Sequence, residues 1–127
     1  MTKPHSNIQT LRRTAARVTR DIVRRLPAKL RAALAAVAVV LQDRPDRRQL
    51  DAGIAGDWLG VFEGPSLRDS EDPTPLPPQI TLFLENIEAE ARASGQTYAA
   101  EVRRTFLHEL GHYLGLDEDD LALRDMD

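Results

Sequence analysis

The sequence predicts one domain that mixes helices with a few short strands. Three observations predict it. The chain has 127 residues, the size of a single domain. Three short apolar runs, Val37–Leu41, Trp58–Phe62 and Ile80–Leu84, are bounded by turn residues and read as strands. Between and around them, apolar residues recur at steps of three and four, the period of a helix face.

In chain order, Ser6 and Gln9 have the spacing of a capping box that opens a helix running to about Arg25. Ile8, Leu11, Ala15, Val18 and Ile22 form its apolar stripe. Arg12, Arg13, Arg17, Arg20, Arg24 and Arg25 cover the rest. The expected role is a basic amphipathic helix packed on its own acidic domain or on a partner subunit. Nucleic-acid binding is disfavoured, because no aromatic residues interleave with the arginines. Residues 1–26 form this basic segment and 27–127 the body of the domain. Pro27 suits the first position of a second short helix, which extends through about Ala35. Val37–Leu41 follows as a buried strand. Asp43–Gly56 is a polar connector with at most one helical turn. Trp58 is expected as a core or edge anchor of the second strand. Gly64–Gln79 holds five of the eight prolines and reads as a surface loop. Asn86–Ala93 is helical and is ended by Ser94-Gly95. A final helix starts near Tyr98.

Composition narrows the chemistry. There is no cysteine, so any metal must be held by histidine and carboxylate. The net charge of −3 conceals an asymmetry: residues 1–50 carry +9 and residues 51–127 carry −12. The halves should attract each other, or another copy head to tail. The longest apolar run, Ala32–Leu41, is about ten residues, too short to span a bilayer. No secretory segment opens the sequence, so the expected location is cytoplasmic.

The stretch that carries chemistry is His108-Glu109-Leu110-Gly111-His112. Histidines four apart on a helix share one face, with β-carbons about 5–6 Å apart. Both imidazoles can then reach one Zn²⁺ at roughly 2.0–2.1 Å. Glu109 occupies the position of the general base for a zinc-bound water. The upstream residues support a helix. Ala99, Val102, Phe106, Leu110 and Tyr113 make a buried stripe, with Glu101, Thr105, His108 and His112 in a polar stripe beside it. Gly115 stops the helix and lets the chain turn back with a third ligand. The spacing places that ligand at Glu118, with Asp117, Asp119 and Asp120 as near alternatives, Asp117 first among them. Tyr98 and Tyr113 are the only tyrosines that could stabilise an oxyanion, and Tyr113 alternates with the ligand face in a way that suits the core.

From about Pro27 to Leu121 the chain resembles the small bacterial zincin-like metallopeptidases, or mini-zincins. The resemblance rests on Leu59-Gly60-Val61-Phe62-Glu63-Gly64, Pro78-Gln79-Ile80-Thr81-Leu82-Phe83, Arg103-Arg104-Thr105-Phe106-Leu107 and the motif itself. It implies a compact α+β domain with a small mixed sheet of three to four strands and the HExxH helix packed against it. It also implies His108, His112 and an acid at position 118 as zinc ligands, with Glu109 as base. By the same resemblance the third strand, through Ile80, Leu82 and Leu84, aligns an extended substrate by main-chain hydrogen bonds. The expected function is a zinc-dependent metallopeptidase acting on flexible peptides or proteins, with self-association as a homodimer among its assemblies. The competing expectation is a metal-binding, non-catalytic interaction domain. Glu109 separates them, since a structural metal site has no use for that carboxylate.

Overall fold

The computed structural model describes residues 7–65 and 77–115. In order it contains α1 (Ile8–Arg25), α2 (Ala28–Ala33) with a following 3-10 turn (Leu34–Ala36), β1 (Ala38–Gln42) and α3 (Arg47–Asp51). Then come β2 (Gly60–Glu63), β3 (Gln79–Phe83), α4 (Leu84–Ser94) and α5 (Tyr98–Leu114). The strands form one mixed sheet in the order β1-β3-β2, with β1 parallel and β2 antiparallel to β3. The α+β class and the small mixed sheet expected from sequence are therefore present.

The N-cap of α1 is Asn7 rather than Ser6: the Asn7 side chain accepts the Gln9 N–H at 2.7 Å. An asparagine oxygen reaches the second helical amide directly, and the helix begins one residue later than the capping-box spacing suggests. Leu11, Ala15 and Ile22 are buried while the arginines face out. The apolar stripe thus docks α1 against α5 and α4, and Arg12 reaches Asp43 at 3.0 Å. Leu26 is extended, as a residue before proline must be, and there the helix stops.

The expectation of a buried strand at Val37–Leu41 needs correction. Residues of β1 are exposed or half-exposed, and Val39 is 41% exposed. The strand lies at a sheet edge. β-branched residues fit a pleated surface whether or not both faces are covered. The buried strand is β3, where Ile80, Thr81, Leu82 and Phe83 are all inaccessible. Leu84 is not its last residue but the first of α4, which follows without a connecting loop. The predicted turn in the Asp43–Gly56 connector is α3, opened by a capping box between Asp46 and Gln49. Among the described residues no helix is long and apolar enough to cross a membrane.

Tyr98 ties the ends of the domain together. Its hydroxyl donates to the Leu11 carbonyl at 2.9 Å, joining the start of α5 to α1. Burial first, and then the Glu88 charge, raise its pKa far above the ordinary phenol value. The unfolded phenol ionises near pH ~10. The contribution of the neutral side chain is therefore complete below that pH and is lost as pH climbs toward the folded value. Tyr98→Phe is expected to cost about 1 kcal/mol at neutral pH for the lost hydrogen bond. It should also flatten the alkaline fall in stability, which urea unfolding at several pH values would measure. An unchanged alkaline slope would assign that loss to other groups.

Candidate active site

Local rules build the helix that carries the motif. The Thr97 side chain accepts the Ala100 N–H at 3.0 Å and caps its start. Gly115, with φ of 74°, ends it in a left-handed turn that most side chains resist. Between these caps, Val102, Phe106, Leu110 and Tyr113 are buried, as their spacing predicts. The helix packs on β2 and β3 on one side and on α1 and α4 on others.

The predicted site residues described by the structure come together. His108 and His112 are both exposed, with ring centroids 4.7 Å apart and planes tilted by 58°. One turn of helix thus presents two imidazoles side by side to solvent. Glu109 is only 6% exposed. Its Oε1 lies 3.5 Å from His112 Nδ1, and the Phe62 backbone N–H donates a hydrogen bond to its carboxylate. Burial raises the pKa of Glu109; His112, His108 and the Phe62 N–H oppose that shift only in part. A divalent cation fits this donor set, since two exposed nitrogens share a face and a shielded carboxylate stands next to them. Glu118 and Asp117, the candidates for the third ligand, lie outside the described residues. Within the described residues no cluster of three ligating side chains is present.

The strand that borders the site is not the one the sequence suggested. Ile80 and Leu82 belong to the central strand, which is paired on both sides, and Leu84 is helical. No added strand can hydrogen-bond to β3. Among the described residues the free edge beside α5 is β2. Phe83 N–H donates to the Leu59 carbonyl at 2.9 Å, and the antiparallel ladder alternates from there. Gly60 and Phe62 therefore turn their peptide groups away from β3, and Phe62 aims its N–H at Glu109. Gly60 permits the close approach of β2 to α5. A Cβ there would stand 3.0 Å from the Thr81 carbonyl oxygen and 3.1 Å from the Thr105 methyl group.

Neither tyrosine serves the site. Tyr98 is bound to Leu11, and the Tyr113 hydroxyl donates to the Ala33 carbonyl at 3.1 Å. Tyr113 is core, as its alternation predicted. Trp58 is not core: it is 43% exposed. It lines an open cavity of about 580 Å³ with Gly60, Glu90, Glu101, Thr105 and Glu109. The sequence placed Glu101 and Thr105 on the polar stripe with His108. Their burial, 2% and 6% exposed, is what marks them as more than a solvated face.

A family model described as zincin-like metallopeptidase matches residues 34–126, well over half of the chain. No match was found among curated proteins. Among solved structures, the chain is similar to a conserved hypothetical protein from Thermo thermophilus. The identity is 24% and the TM-score 0.48, covering 94% of this chain and all of the other. Through the family match, which takes in the paired histidines, their intervening glutamate and the strand edge beside them, the chain belongs to the zincin-like metallopeptidases.

Proposed function

We propose that the site hydrolyses peptide bonds with a zinc ion held by His108, His112 and an acidic residue of the 117–118 pair. The observation that carries this reading is the position of Glu109. It is buried, hydrogen-bonded to Phe62, and set between two exposed imidazoles at the free edge of β2. A bound zinc ion would polarise the scissile carbonyl and lower the pKa of water. The protein's own groups do the rest. An extended peptide lies along β2 and pairs with the outward N–H and C=O of Gly60 and the outward C=O of Phe62, whose N–H is held by Glu109. Glu109 takes a proton from the attacking water as the new C–O bond forms. The same carboxyl group then gives that proton to the leaving amine as the C–N bond breaks. Burial serves this role, because it lifts the carboxyl pKa toward the working pH, where a base transfers protons best. A purely structural metal site would be closed by four protein ligands and would gain nothing from a shielded carboxylate beside it.

The purified protein is expected to bind about one zinc per chain, as three protein ligands at an open site require. His108→Ala and His112→Ala should each lose it. Metal analysis of the three proteins after dialysis is the test; equal zinc in all of them would overturn the assignment.

A further inference from the structure

The cavity beside Glu109 is walled by α5, by Glu90 of α4 and by the residues leading into β2. Its charges are unbalanced. Among the described residues Asp57, Glu90, Glu101 and Glu109 line it with carboxylates, against one guanidinium, that of Arg104, and His108 borders it on the side of the metal ligands. Glu101 is almost fully buried, and its contact with Arg104 is 3.6 Å, longer than a charge-assisted hydrogen bond. One helical turn further on, the Thr105 hydroxyl is buried with no hydrogen-bond partner among the described residues. A hydroxyl shut away without a partner is costly, and a ligand group is one way to satisfy it. At the rim stands the half-exposed ring of Trp58, a surface suited to an aliphatic stem ending in a cation.

We propose that this cavity receives the side chain of a lysine or arginine adjacent to the cleaved bond, so that the substrates are basic peptides. The inference rests on the peptidase reading above and specifies its substrate class. The stem of the side chain lies on Trp58. Its charged end meets Glu90, Asp57 and Glu101, and one of its N–H groups donates to the Thr105 oxygen. An acidic side chain would meet three like charges. An apolar one would strip water from Asp57 and Glu90 and leave the Thr105 hydroxyl unbonded.

Trp58 is the only tryptophan, so its fluorescence reports occupancy of the cavity without any need for turnover. The test uses blocked alanine pentapeptides with Lys, norleucine or Glu at the centre. They are titrated into the zinc-loaded Glu109→Gln protein, which holds them uncleaved. The Lys peptide should bind about tenfold tighter than the norleucine peptide, roughly 1.4 kcal/mol. The Glu peptide should bind weakest. Glu90→Gln and Asp57→Asn, both at accessible positions, should each shrink the Lys advantage, and added salt should do the same. Equal binding of Lys and norleucine peptides, or binding of none, overturns the proposal. The same peptides are incubated with zinc-loaded wild-type protein and the products identified by mass. A Lys preference in binding with no cleavage upholds the basic pocket and removes the hydrolase. Cleavage indifferent to the central residue upholds the hydrolase and removes the pocket.

Discussion

Glu109→Gln is expected to lower peptide hydrolysis by about a hundred- to ten-thousand-fold, the range spanned by general acid–base catalysis, while zinc content stays at the wild-type level. The substitution changes little else. Glutamine has the size of glutamate, and its amide oxygen can still accept the Phe62 N–H. The ring pair of His108 and His112 is exposed on the helix surface, and the glutamine amide oxygen can occupy the place of the Glu109 Oε1 that lies 3.5 Å from His112 Nδ1. What is removed is the carboxylate charge and with it the ability to take up a proton. Measuring kcat/KM on one cleaved peptide, with zinc determined on the same samples, checks the prediction. Activity within a fewfold of wild type would place the base elsewhere. Loss of zinc together with activity would give Glu109 a part in holding the metal instead.

The sequence disclosed the motif helix well because everything that defines α5 is local. Thr97 and Gly115 are caps, and the Val102, Phe106, Leu110, Tyr113 stripe is a period that one segment displays unaided. Strand order is different in kind. Residues 79–83 read as a strand, but whether that strand lies at the edge or in the centre depends on partners about 20 and 40 residues away in the chain. A signal was present: Ile80, Leu82 and Phe83 are apolar on both faces of the pleat, as a centrally buried strand demands. By the same logic, the half-exposed β1 looked buried because its β-branched residues announce a strand without announcing its neighbours. The cavity was the least legible part. Asp57, Trp58, Glu90 and Glu101 come from three separate segments. Glu101 and Thr105 looked like the polar side of a helix; β2 closes over Thr105, and that closure turns on the absence of a side chain at Gly60.

Phe106→Ala should destabilise the domain by about 3–5 kcal/mol. Phe106 is 1% exposed and lies on the face of α5 turned away from the histidines. It already borders an apolar cavity of about 190 Å³ shared with Leu34, Ile80 and Leu110. Truncation would enlarge this void rather than let it collapse, because β3 and α5 are each held by other neighbours. A domain of this kind has a total stability of about 5–15 kcal/mol, so the metal-free variant should stand near its unfolding midpoint at moderate temperature. The same helix carries His108 and His112, and zinc bound only by the folded form should restore about 2.7 kcal/mol at one hundred times its dissociation constant. Melting curves of Phe106→Ala with and without zinc should therefore separate widely. Those of Phe106→Ala combined with His112→Ala should superimpose. An equal rise in both proteins would mean that zinc stabilises the chain somewhere other than the paired imidazoles of α5.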